Sequence, residues 1–317
     1  LRSRSLWLLA AALLVPGGVA AADPAPPATR TFVLRYAAEL TGLPPGRTVR
    51  VWVPVPPSNR EQDVTVLGRH APGTSRLTRE KEYGNDVWYV EATPAADGTL
   101  AVRAEYRVTR REVTAANAEG GDVERLLRPD ALVPVGGKPL QVIAGKALPA
   151  EPRAKARALY DAVYDHVTYS KEKPGWGRGD AAWACDSRSG NCTDFHSLFI
   201  ALARSEGLPA KFEIGFGLPP ERGKGELAGY HCWAKVKAGG EWLPLDVSEP
   251  KKLGLGRDGY FGRLPPNRVT FSVGRDITLE PRQDGDPLNF FVSPYAEVGG
   301  RPHPADRVKG TYSFEDE

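Results

Sequence analysis

Gly190-Asn191-Cys192-Thr193-Asp194-Phe195-His196-Ser197-Leu198-Phe199-Ile200-Ala201-Leu202-Ala203-Arg204 is the stretch on which the reading of this chain turns. Apolar side chains at Phe195, Leu198, Phe199, Ala201 and Leu202 recur every three to four residues, the period of one helical face. Gly207 and Pro209 end the pattern, because glycine suits the residue just past a helix and proline cannot continue one. Gly190-Asn191 has the composition of a turn just upstream. Cys192 therefore falls in the first helical turn, where unpaired backbone N–H groups and the helix dipole favour a negative charge. A thiolate is the reactive form of cysteine, and this position lowers its pKa.

A second pattern follows. Tyr230 to Lys237 alternates, Gly239-Gly240 turns, and Glu241 to Val247 runs back, which predicts a hairpin. Alternation puts His231, Trp233 and Lys235 on one face and Cys232, Ala234 and Val236 on the other. His231 is then the candidate base for Cys192, and Asp246 on the paired strand the candidate partner for its other ring nitrogen. Nucleophile, base and orienter is the arrangement of covalent acyl transfer. His196 lies four residues after Cys192, on the same helical face, and is the rival base or a cleft-lining group, against the commoner role of a core histidine satisfied by hydrogen bonds.

The residues Gly190-Asn191-Cys192, Leu208-Pro209-Ala210, His231-Cys232-Trp233-Ala234 and Trp242-Leu243-Pro244-Leu245-Asp246 occur in an order that resembles the transglutaminase-like superfamily core. The resemblance spans about Ala154 to Pro250 and suggests an exported bacterial protein with such a core. It implies a papain-like α+β fold and a Cys-His-Asp triad falling on Cys192, His231 and Asp246. Family members include cross-linking enzymes, peptidases, amidases and inactive proteins, so the chemistry is better constrained than the substrate. Expected partners are a protein or peptide, cell-wall peptide among them. The alternative is a catalytically silent peptide- or cell-wall-binding or assembly protein that uses the same cleft.

Ahead of this core, short alternating runs at 32–40, 48–55, 62–68, 86–92 and 99–108, punctuated by glycine and proline, predict an antiparallel β-sandwich. The expected organisation is a signal peptide at 1–22, a β-sandwich domain at 23–111, a connector at 112–151, the cysteine-enzyme domain at 152–300 and a polar, disordered tail at 301–317. Pro152 opens a predicted helix running to about His166. The glycine-rich loop at 171–189 holds Trp176 and Trp183, either of which could wall a cleft or offer an indole N–H to an oxyanion beside the Cys192 N–H. Further strands are expected within 258–279 and 288–298.

Arg2 and Arg4, the apolar run Leu6–Val15, Pro16-Gly17-Gly18 and Ala20-Ala21-Ala22 are ordered as in a secretory signal with cleavage after Ala22. A periplasmic or extracellular protein without stable membrane insertion follows as an expectation. Loss of two arginines and no acids would lower the formal charge from +3 to +1. So balanced a charge argues against a nucleic-acid partner. The three cysteines leave Cys185 and Cys232 as a candidate disulfide pair beside a free Cys192, and the reading preferred to it is Cys232 as a small buried apolar residue on the core face of its strand. Cys192, His196 and His231 lack a fourth ligand at zinc spacing, Asp284-Gly285-Asp286 lacks the remaining oxygens of a calcium loop, and no glycine-rich nucleotide loop follows a strand. No metal or cofactor is expected.

Overall fold

A computed structural model describes residues 28–317, so the expected signal sequence and its cleavage point lie outside the described residues. Two five-stranded antiparallel sheets form a β-sandwich. The first runs in the order Lys224–Glu226, Val308–Asp316, Thr29–Leu40, Leu100–Arg111, Gln62–His70. The second runs Arg301–Pro302, Tyr295–Val298, Val49–Val55, Asp86–Ala92, Thr74–Arg79. Period-two patterning makes these strands: Phe32, Leu34, Tyr36, Ala38 and Leu40 all point into the core while their neighbours face outward.

The α+β core follows. Helix α1 (Pro152–His166) begins with Pro152 in its first turn and is capped by the Glu151 carboxylate, which accepts from the Arg153 and Ala154 N–H groups. Helices α2 (Ala181–Ser187), α3 (Cys192–Ser205) and α4 (Glu249–Leu253) complete the set. A four-stranded antiparallel sheet runs Glu241–Leu245, His231–Ala238, Ala210–Gly217, Arg268–Val273. The hairpin between its first two strands turns at Gly239 and Gly240, both at positive φ. Gly215 marks a bulge against Arg268–Val273, where an added Cβ would lie 1.9 Å from the Val269 carbonyl oxygen.

Helix α3 sits between α1, α2 and the His231–Ala238 strand, and every residue from Cys192 to Arg204 is buried. Its phenylalanines, Phe195 and Phe199, are fully enclosed. Each contributes on the order of 2–3 kcal/mol by burial alone. One apolar core runs without a break from the sandwich into this layer. Tyr36 of the sandwich stacks on Phe271 of the core sheet with ring centroids 5.5 Å apart.

Three expectations are corrected. The segment 301–317 is not a disordered tail: Val308–Asp316 pairs along the whole of Phe32–Leu40, and a buried Arg30–Asp316 ion pair at 2.7 Å pins its end. Tyr312 and Phe314 alternate inward there, an apolar signal diluted by the charged residues around them. Tyr295–Val298 joins the sandwich beside Val49–Val55 rather than completing the second domain. Within 258–279 the strands are Arg263–Leu264 and Arg268–Val273, whereas Ile277 makes only an isolated bridge to Leu288. Among the described residues no helix is long and apolar enough to cross a membrane.

Candidate active site

The nucleophile candidate is set by a helix cap. Asn191 precedes α3, and its Oδ1 accepts from the Thr193 N–H at 3.0 Å. Asp194 returns the bond by accepting from the Asn191 N–H at 2.9 Å, a reciprocal capping box. The same carboxylate accepts from the Gly177 and Gly179 N–H groups at 2.7 and 2.9 Å, tying the glycine-rich loop to the helix start. Cys192 is the first residue of α3 and is 2 % exposed. A hydrogen bond from the Cys232 thiol, joined by the hydrogen bond and charge of His231, outweighs burial and holds the Cys192 thiol well below its ordinary range.

His231 opens its strand and donates from Nε2 to Asp246 Oδ2 at 2.7 Å, which leaves Nδ1 as the nitrogen for Cys192. Burial opposes the imidazolium, but Asp246 together with hydrogen bonds to Asp246, Cys192 and Glu249 holds His231 well above the usual histidine range. Asp246 is fully buried. Desolvation would raise its carboxyl, and the His231 charge reverses that and holds it well below the usual carboxylate range. Its other oxygen, Oδ1, accepts from the Ser248 N–H at 3.1 Å, Ser248 Oγ at 2.9 Å and the Glu249 N–H at 2.9 Å. Asp246 thus also caps the start of α4, and that fixes the carboxylate plane presented to His231.

None of the remaining candidates lines the cavity beside His231. His196 is fully buried behind the nucleophile: its Nδ1–H donates to the Cys192 carbonyl at 2.7 Å and its Nε2 accepts from the Val247 N–H at 3.2 Å. Its Nε2 also stands 3.4 Å from Asp246 Oδ1, so the ring is held between backbone groups and the Asp246 carboxylate and does not line the cavity beside His231. It ties the start of α3 to the residue after Asp246. Trp176 is 38 % exposed with the Lys171 ammonium 5.4 Å from its ring, and the Trp183 indole nitrogen abuts Gly175. Neither indole lines the cavity of about 360 Å³ that opens onto His231, whose walls include Tyr169, Leu218, Leu227, Tyr230 and Glu249. All three cysteines are free. Cys185 faces the Lys138 carbonyl on the far side of α2, and it is Cys232 that meets Cys192, with its sulfur 3.5 Å from His196 Nδ1.

Residues not singled out from the sequence complete the site. Arg268 donates to Glu249 at 2.9 Å and lies 3.4 Å from Asp246, with its guanidinium 4.9 Å from the Trp233 ring. Glu249 in turn stands 3.3 Å from His231 Nε2. The His231, Asp246 and Glu249 donor atoms lie within 4.8 Å of one another. Arg268 already occupies both carboxylates, and its fixed positive charge makes the group a poor cation site. The Asp246-Val247-Ser248-Glu249-Pro250 string did carry a signal for α4, serine at the N-cap position followed by an acid and proline in the first turn. Arg268 had none, because its role depends on a strand brought back from beyond the helix.

Residues 141–247 match the model of the transglutaminase-like superfamily, which covers about a third of the chain. The chain carries a transglutaminase-like core domain. A crystal structure described as a "putative cysteine protease" from Cytophaga hutchinsonii aligns over 92 % of this chain and 98 % of its own, with a TM-score of 0.55 at 16 % identity. That likeness shows a shared fold across nearly the whole chain, sandwich included. An uncharacterized protein of Haemophilus influenzae is 30 % identical over 184 residues, 48 % of this chain and 50 % of the relative. The chain thus spans about half the length of that relative.

Proposed function

We propose that this transglutaminase-like chain is a cysteine enzyme acting on an amide or peptide bond, with Cys192 as nucleophile, His231 as base and Asp246 as orienter. The observation that supports this most is the buried 2.7 Å contact between His231 Nε2 and Asp246, which leaves the other imidazole nitrogen free to serve Cys192, a thiol held below its ordinary range. In this reading the Cys192 thiolate attacks the carbonyl carbon. The tetrahedral adduct collapses with cleavage of the C–N bond, and the His231 imidazolium gives its proton to the departing amine. The thioester then passes its acyl group to water or to a second amine as His231 takes the proton from the attacking group.

Export to the periplasm or outside the cell belongs to the same proposal, as does a protein or peptide substrate, cell-wall peptide included. It rests on the residue order at 1–22 and on the cavity of about 360 Å³ beside His231. The test is intact-mass analysis after exposure to a chromogenic acyl ester. One acyl group should add to the wild type, none to Cys192→Ala, and accumulation should be much slower in His231→Ala. Absence of an adduct on the wild type would instead favour the silent binding protein, a reading to which the 2 % exposure of Cys192 lends some weight.

A further inference from the structure

The oxygen of a tetrahedral adduct at Cys192 needs two donors, and the geometry offers one that the sequence did not suggest. The first is the Cys192 N–H itself. It leads α3, and among the described residues it has no acceptor, since Asn191 takes the Thr193 N–H and Phe195 N–H bonds. The second was expected from Trp176 or Trp183, but neither indole faces the cavity.

We propose that the Tyr230 phenol is the side-chain donor of this oxyanion pocket, working with the Cys192 N–H. The inference rests on the acyl-transfer reading of Cys192. Tyr230 lines the cavity beside His231, and its ring is braced by Phe290 at a centroid distance of 5.6 Å. Its hydroxyl oxygen accepts from Asn191 Nδ2 at 3.3 Å, so it stands next to the residue that leads into the nucleophile. The capping interaction settles which end of the Asn191 amide is which. Oδ1 is held by the Thr193 N–H at 3.0 Å and Thr193 Oγ1 at 2.6 Å, so Nδ2 must point toward Tyr230.

Asn191 donates a hydrogen bond to the phenol oxygen, and the Thr193 hydroxyl, whose own proton goes to Asn191 Oδ1, is its other side-chain partner. The phenol proton therefore rests on a neutral oxygen until the charged oxygen of an adduct offers a stronger acceptor. A hydroxyl whose oxygen accepts a bond is polarised into a stronger donor. Burial, and the negative charge of a Cys192 thiolate, keep that proton in place by raising the phenol well above its ordinary range. Tyr295 lies in the sandwich outside this cavity, with its hydroxyl donating to Glu297 at 2.8 Å, which makes it a control.

Two reagents separate this role from a merely structural one. Iodoacetamide alkylates a thiolate by displacing iodide and forms no oxyanion. An activated ester such as 4-nitrophenyl acetate must pass through one, with the carbonyl π electrons moving onto oxygen before nitrophenolate leaves. Tyr230→Phe in the full chain should keep its iodoacetamide rate and the pH profile of that rate within about twofold of wild type. Its acylation rate should drop on the order of a hundredfold. Tyr295→Phe should leave both rates unchanged. Equal losses with the two reagents would mean that Tyr230 acts on thiolate formation or access, and an unchanged acylation rate would mean that it gives no bond; either overturns the proposal. A wild type that reacts with neither reagent at Cys192 would remove the acyl-transfer reading beneath it, an outcome distinct from both.

Discussion

Replacing Asp246 by asparagine isolates what the buried carboxylate does. The cap on α4 survives, because an amide oxygen can still accept from the Ser248 and Glu249 N–H groups that now hold Oδ1 at 3.1 and 2.9 Å. The side facing His231 changes: an NH₂ group replaces the oxygen that accepts from Nε2 at 2.7 Å. To keep a hydrogen bond the imidazole must move its proton to Nδ1, the nitrogen that serves Cys192. A protonated Nδ1 in a neutral ring cannot accept the thiol proton. Arg268, 3.4 Å from the same oxygen, would also lose a charge partner, which further disfavours an imidazolium. In triads of this type, the wrong tautomer costs about 10⁴ in rate, or roughly 5–6 kcal/mol of transition-state stabilisation. The assay is the burst of nitrophenolate from an activated ester, measured by stopped flow on protein whose thermal unfolding matches wild type. A burst rate within about threefold of wild type would refute the claim that Asp246 sets the tautomer of His231.

Other changes test the surroundings of that pair. Cys232→Ala removes the thiol that donates to Cys192, so the midpoint of Cys192 alkylation should move to higher pH; an unmoved midpoint would show that the contact does not tune the thiolate. Lys235→Met keeps bulk but strips a cation from buried Glu61 and Glu213, the latter bonded at 2.8 Å, and should cost about 3 kcal/mol in denaturant unfolding. Phe314→Ala should cost on the order of 3–4 kcal/mol, since its ring is buried between the sheets, and a value near zero would contradict the pairing of the last strand.

What the sequence made legible follows the range over which each signal acts. Helix α3 and its cap lie within fifteen residues, and the hairpin carrying His231 and Asp246 is closed by Gly239-Gly240, so both patterns are local. Cys232 was harder. Strand alternation sets it opposite His231, yet His231 is the first residue of its strand, where the imidazole can reach past the end of the ladder, and both side chains meet Cys192. Arg268 and the Val308–Asp316 strand were hidden for a different reason. Each takes its meaning from partners remote in sequence, and for the strand the partner, Thr29–Leu40, lies at the other end of the chain. Periodicity over a short window carries no information about such pairings.

The proposed acyl transfer depends on a Cys192 thiolate stabilised beside His231. Its most direct test is the rate of iodoacetamide alkylation at Cys192 against pH, followed by peptide mapping, in wild type and His231→Ala. Because the thiol is held below its ordinary value, the wild-type rate should persist well below pH 8.5, about where a free cysteine loses its thiolate. His231→Ala should lose that low-pH reactivity. Rates that follow an ordinary cysteine in both proteins would contradict it.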